Sequence, residues 1–239
     1  MATPESNKTE LKKKGFTIIN GLYRKEETAA IITAIDHADQ AKNTFRKSSD
    51  LFAIRQLFKE VPDLLPVVFT PQLKAFIHEN FGPRYFIVKS IYFDKPEKAN
   101  WYVAYHQDLT ISVDKKLQLE NFGPWTVKQN QYAVQPPVGL LEQNFTIRIH
   151  LDDTDADNGA LRIIEASHLK KIYRPETIDH ASEKETICPV HSGGIMIMKP
   201  LLLHSSGRST SGKRRRVIHI EFSDQALPEG LAWAEKQEI

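Results

Sequence analysis

The spacing of hydrophobic residues changes near residue 84. Before it, apolar positions recur at helical intervals: Glu26 to Ala38 sets Ala29, Ile32, Ala34 and Ile35 near one face and leaves Asp36 and Asp39 outside it. Thr70-Pro71 opens a further helix through about Asn80, because threonine caps a helix and proline is tolerated at its first position. Phe16 to Ile19 is a short strand ended by Asn20-Gly21, a dipeptide suited to the positive backbone angles of a turn. After Arg84 the pattern becomes short runs of β-branched and aromatic residues: Tyr85 to Phe93, Trp101 to Tyr105, Phe145 to Leu151, Leu161 to Ile164, Ile195 to Met198 and Arg216 to Phe222. Asp94-Lys95-Pro96, Gln135-Pro136-Pro137, Asp157-Asn158-Gly159 and Ser192-Gly193-Gly194 separate these runs as turns rather than domain linkers. The expectation is one α+β domain over residues 1–239 with a mainly β core, in which helices in 1–83 buttress a jelly-roll barrel in 84–239. Residues 109–138 show little periodicity and read as a long functional loop.

Composition narrows the class. Thirty-two Lys and Arg against 30 Asp and Glu leave a formal charge of +2, which gives no electrostatic reason to expect a nucleic-acid or anionic-membrane partner. The lone Cys188 excludes an intrachain disulfide and a cysteine-rich zinc site, and it fits a reducing cytoplasm. Met1 to Lys14 is polar, without the apolar stretch of a signal peptide, and no run approaches the roughly 18 apolar residues of a membrane span. A soluble, cytoplasmic protein acting on a small molecule is expected.

Among nine histidines, three begin a His-x-Asp triplet: His37-Ala38-Asp39, His106-Gln107-Asp108 and His150-Leu151-Asp152. Residues i and i+2 share a side on a strand but point far apart around a helix, so the helical His37 and Asp39 are set aside. His106 and Asp108 lie where a strand runs out into a loop, a common place for a site. His150 and Asp152 sit mid-strand, where Thr146, Arg148, His150 and Asp152 share one face and Ile147, Ile149 and Leu151 the other. They remain the rival pair. A third ligand from another strand completes two imidazoles and a carboxylate on one face of an octahedral iron, and His204, after Pro200-Leu201-Leu202-Leu203, is the best candidate. Arginines 214 to 216 follow, and a guanidinium on a neighbouring strand can grip a carboxylate with two parallel hydrogen bonds.

From these residues the sequence resembles the phytanoyl-CoA dioxygenase family. The likeness runs from Gly15-Phe16-Thr17-Ile18-Ile19 through Phe93-Asp94-Lys95-Pro96, His106-Gln107-Asp108, Asp157-Asn158-Gly159-Ala160-Leu161 and Ser167-His168 to the His204–Arg215 block. It implies a double-stranded β-helix and an iron(II) oxygenase with 2-oxoglutarate as co-substrate, yielding succinate and carbon dioxide. It also implies His106, Asp108 and His204 as metal ligands, Arg215 as the clamp on the distal carboxylate of 2-oxoglutarate, and Ser206, Arg148 and Lys89 beside the co-substrate. Trp125, Gln135, Gln143 and His150 are candidates for the substrate pocket. The carboxylate of Asp108 favours hydroxylation over halogenation, since related halogenases lack it. Two departures stand out: Glu165-Ala166 replaces the family's Pro-Gly before Ser-His, and three successive arginines leave the clamp open by one position. A jelly-roll binding protein without oxygenase activity is the alternative, since fold does not settle function, and a zinc hydrolase on the same ligands is a third reading.

Overall fold

A computed structural model describes residues 3–38, 45–47, 52–96, 102–128 and 131–239; Asp39 and Trp101 lie outside them. The chain opens with α1 (Pro4–Lys14), β1 (Phe16–Ile19) and α2 (Lys25–Asp36), followed by β2 (Phe45–Lys47) and β3 (Phe52–Arg55). Three helices, α3 (Leu57–Glu60), α4 (Leu64–Val68) and α5 (Pro71–Phe81), precede the strands β4 (Phe86–Lys95), β5 (Val103–His106), β6 (Ile111–Val113), β7 (Trp125–Lys128) and β8 (Gln131–Val134). Then come α6 (Val138–Gln143), β9 (Phe145–His150), β10 (Leu161–Ile164), β11 (Glu185–Cys188), β12 (Ile195–Met198), β13 (His204–Ser206) and β14 (Arg215–Ser223). Among the described residues no helix is long and apolar enough to cross a membrane.

Two antiparallel sheets form the jelly roll. The larger orders its strands β1, β12, β9, β14, β4, β3, β2, and the smaller β11, β10, β13, β5. The amino-terminal third, expected as helical support, therefore also supplies three strands of the larger sheet. Alternation along β9 and β14 separates two environments. Ile147, Ile149, Ile218, Ile220 and Phe222 face outward into the core with Ile31 and Ile35 of α2 and Leu73 and Ile77 of α5. Burying each such side chain contributes roughly 1.5–3 kcal/mol. The opposite, polar set faces the barrel interior, where Arg148 pairs in register with His219, and His219 with Ile91. On α2 the buried stripe is Thr28, Ile31 and Ile35, with Ala29 exposed, one residue round from the expected face. Two large isoleucines four apart bury more apolar area than alanines do, and this sets the rotation.

One segment differs from the expected pattern. Residues 109–138 are not one loop: β6, β8 and β7 pair as a third, three-stranded sheet whose Ile111, Val134 and Trp125 pack in an apolar cluster with Leu141 and Trp233. The alternation was hidden because each strand is only three or four residues long. The residues after Leu231 stitch this sheet to the barrel. Trp233 bridges to Val113, Gln237 to Ile87, and Ala234 N–H donates to Ser112 O at 3.0 Å. There the buried Glu235 accepts a 2.5 Å hydrogen bond from Ser90 Oγ, and burial pushes its carboxyl up to about 7.

Ala166 occupies the left-handed region at φ 60°, which favours glycine, and its N–H donates to Lys14 O at 2.9 Å. That conformation costs an L-residue roughly 1–2 kcal/mol, partly offset by glycine's larger unfolded-state entropy. Ala166→Gly should therefore stabilise the protein by about 0.5–1 kcal/mol in urea unfolding, and a loss of stability would refute the strain. For Glu235, a folded pKa of about 7 above the ordinary 4.5 means its stabilising contribution is complete below the latter and lost as pH rises through the former. Glu235→Gln keeps an acceptor for Ser90 but carries no charge. The variant's melting temperature should gain on the wild type between about pH 5 and 8, and parallel curves would exclude this titration.

Candidate metal centre

Strand β13 pairs with β5 so that His204 stands opposite His106, with the register shifting before Ser206 meets Val103. Asp108 follows two residues beyond His106, and one ligand atom from each of the three lies within 4.8 Å of the others. The imidazoles are oriented alike. His106 Nδ1 donates to Ala104 O and His204 Nδ1 to Leu202 O, both at 2.9 Å, which leaves each Nε2 free to bind a metal. Burial pushes His204 down to about 4, so it is a neutral donor. Burial opposes the charge on Asp108, but His204, His219 and Lys89 around it hold the carboxyl well below the usual range. Asp108 Oδ2 is buried without a hydrogen-bond partner, 3.9 Å from His204 Nε2. An orphaned carboxylate oxygen facing two free imidazole nitrogens is the donor set of a facial iron(II) site, and the residues fit that ion.

Gln107, which stands between the two candidate ligands in the sequence, holds this set together. Its Nε2 donates to Leu201 O at 2.5 Å and Lys171 O at 2.7 Å, and its Oε1 accepts from Tyr173 N at 2.8 Å. Asp108 N–H adds a bond to Pro200 O at 2.9 Å. The segment carrying His106 and Asp108 is thus tied to the approach to His204 by side chain and backbone together. Ser167 Oγ reinforces that approach by accepting from Leu203 N at 2.8 Å.

The metal cluster opens into a cavity of about 630 Å³. The three arginines separate cleanly. Arg214 forms a two-point ion pair with Asp94 at 2.9 and 2.6 Å, and Arg216 one with Asp152 at 2.9 and 2.6 Å. Arg215, between them, points inward and lines the cavity, where its Nη1 contacts Gly159 O and Ser206 Oγ. Ser206 Oγ itself donates to Gly159 O at 2.9 Å. Gly159 has φ +89°, and a Cβ there would meet Gly207 O at 3.0 Å and Lys95 Nζ at 3.1 Å, which is why the Asp157-Asn158-Gly159 turn ends on glycine. Burial lowers Arg215 to about 9 and Arg148 to about 10, and both stay charged at neutral pH.

Arg148 and Lys89 also line the cavity. Arg148 Nη1 donates to His219 Nδ1 at 3.0 Å, which leaves His219 Nε2 to donate to Glu221 Oε1 at 3.2 Å. Lys89 Nζ donates to the same Glu221 oxygen at 2.7 Å. Asp108, His219 and Glu221 have ligand atoms close enough for a second ion, but Lys89 and Arg148 already supply positive charge there. His219-Ile220-Glu221 is a fourth His-x-carboxylate triplet in the sequence, outside the expected site residues, and its two ends share the face of β14 that carries the inward Arg215.

The rival pair does not converge. Asp152 lies beyond the end of β9 and is held by Arg216, whereas His150 is buried with Nδ1 2.7 Å from Thr154 Oγ1. His150 is close to Arg148 and Arg215 and, mainly through burial, held well below the ordinary imidazole range, but it does not line the cavity. Three other expected pocket residues lie away from it. Trp125 packs in the apolar cluster on the far side of its sheet. Gln135 exchanges backbone bonds with Gly123 and Pro124, and Gln143 is exposed at the end of α6. In each case β-alternation or helix position turns the side chain away. The cavity is lined instead by Thr126, Gln131, Tyr132 and Ala133 of the same region, which become recognisable only once the strands are aligned.

This architecture recurs in solved structures. The non-haem α-ketoglutarate-dependent epimerase SnoN from nogalamycin biosynthesis superposes with a TM-score of 0.69 at 15% identity, covering 97% of this chain and 85% of its own. The α-ketoglutarate-dependent carbocyclase SnoK from the same biosynthesis gives 0.67 at 16% identity, covering 93% and 86%. EvdO2 from Micromonospora carbonacea var. aurantiaca, complexed with 2-oxoglutarate, gives 0.66 at 16% identity, covering 99% and 96%. At these identities the likeness is one of fold, the double-stranded β-helix. No curated protein matches the chain by sequence. The family model for phytanoyl-CoA dioxygenase (PhyH) matches residues 11–217, and the chain belongs to that family of iron(II)- and 2-oxoglutarate-dependent enzymes.

Proposed function

We propose that the protein hydroxylates an unactivated carbon of a small molecule in the cytoplasm, coupled to oxidative decarboxylation of 2-oxoglutarate to succinate and carbon dioxide. The observation that carries this reading is the orphaned Asp108 oxygen among His106 and His204, in one cavity with an inward-facing Arg215. Iron(II), when bound, supplies the redox chemistry with dioxygen. His106, Asp108 and His204 would hold it at the edge of a cavity with room for 2-oxoglutarate. Arg215 and Ser206 would bind the distal carboxylate, for which a buried guanidinium beside a hydroxyl is a matched receptor. Arg148 Nε and His150 Nε2, both buried without partners, give the same end of the barrel further polar capacity. The Glu221 network keeps Lys89 and Arg148 fixed, so the site is organised before ligands enter.

Asp108→Ala should abolish succinate formation while circular dichroism stays that of the wild type. Retained turnover would sink the ligand assignment, and a wild type that forms no succinate would favour the vestigial jelly-roll binding protein instead. For the clamp, a charged hydrogen-bonded contact of about 1.5–3 kcal/mol means Arg215→Ala weakens 2-oxoglutarate binding by roughly tenfold or more. Arg214→Ala and Arg216→Ala remove pairs with Asp94 and Asp152 and should leave that affinity within about twofold, as read by calorimetric titration. A larger effect from either neighbour would move the clamp off Arg215.

A further inference from the structure

The cavity has two chemically different walls. On the barrel side stand Lys89, bonded to Glu221, Arg148, bonded to His219, Arg215, bonded to Gly159 O and Ser206, and Arg55. The other wall is the three-stranded sheet. Ser112 of β6 and Thr126 of β7 both register against Ala133 of β8, so they form one row across the sheet, and all three line the cavity. Thr110, Gln131 and Tyr132 line it as well. Among the described residues, none of the polar side chains that alternation sets on this face, Thr110, Ser112, Thr126 and Gln131, makes a hydrogen bond to the protein, while the Tyr132 ring packs against the apolar cluster. The opposite row, Ile111, Val134 and Trp125, is packed in the apolar cluster. The sheet is thus amphipathic, and the described side chains that it turns to the cavity are uncharged.

Three hydroxyls and one amide both donate and accept, and they match a ligand whose groups do the same. An acyl chain pressed against them would exclude water and leave them unpaired, and a dianion would find no cation among them. Ala133 places a notch between Ser112 and Thr126 where a ligand group can reach both strands. We propose that the substrate is a neutral, polyhydroxylated small molecule of sugar or polyol type, recognised by the Ser112, Ala133 and Thr126 row. This rests on the oxygenase reading above and names its substrate class.

The test uses the full chain loaded with nickel(II) and 2-oxoglutarate, which blocks turnover, and ligand-observed NMR. The probes are myo-inositol, the methyl glycosides of glucose, galactose, mannose and rhamnose, citrate and octanoate. At least one neutral polyol should bind. A Ser112→Ala, Thr126→Val double variant should weaken it by about fivefold or more, and Ala133→Leu should abolish it by filling the notch. Because the two hydroxyls have no protein partner, the double variant should keep the wild-type melting temperature and 2-oxoglutarate affinity, which separates lost recognition from misfolding. Binding by no polyol, binding by citrate or octanoate instead, or equal polyol binding in the double variant overturns the proposal. If the wild type fails to take up 2-oxoglutarate before any probe is added, the oxygenase reading has failed instead, and that titration shows it directly.

Discussion

Everything in the site depends on one strand pairing, the antiparallel register that sets His204 of β13 opposite His106 of β5. A slip of one residue would turn one imidazole to the other face of its sheet and disperse the donor set. Pairing alone is weakly specified between strands of three and four residues, and the protein adds constraints at both ends. Gln107 ties the His106 side to Leu201 and Lys171, and Asp108 N–H ties it to Pro200. Each imidazole is then held by a carbonyl two residues before it. These are neutral hydrogen bonds, modest singly, and those to Leu201 and Leu202 are buried and costly to break when no water replaces them.

The barrel interior carries more ionisable groups than an ordinary core, and it is stable because the charges are matched locally. Glu221 answers Lys89 and His219, while Asp94 and Asp152 draw the flanking arginines outward. Pairing Arg214 and Arg216 elsewhere leaves one guanidinium facing the interior from that turn, so the alternation of β14 does double service: it separates solvent pairs from site chemistry and keeps neighbouring positive charges apart. The outward face of the same sheet is as apolar as the inward one is polar, which lets α2 and α5 cover it.

Much of this was legible in the sequence. The alternation from Thr146 to His150, the strands around Ile195 and Ile218, and the cap at Thr70 follow from local pattern, because each is long enough or chemically marked enough to show its period. Thr70 Oγ1 does accept from Leu73 N, at 3.3 Å. The His106, Asp108 and His204 set could be nominated from strand geometry and the order of motifs. The three-stranded sheet could not, since its strands are short and their apolar residues pack on a cluster completed by Trp233, more than 100 residues away. Nor could α1, whose polar sequence buries only Asn7 and Leu11 and depends on its Thr3 and Gly15 caps. Trp125 was drawn to the pocket by its chemistry and placed outside it by its register, a distinction visible only after pairing partners are known.

The stitching of residues 231–237 to β6 and β4 has a consequence for how such a barrel can diversify. The candidate metal ligands sit on β5, β13 and the turn after β5, whereas Trp233 and Ala234 hold the small sheet and Gln237 and Glu235 anchor the same tail to β4. A change in this tail therefore reaches the cavity wall formed by the small sheet directly, through its bonds to Val113 and Ser112, while the candidate ligands stand on other strands.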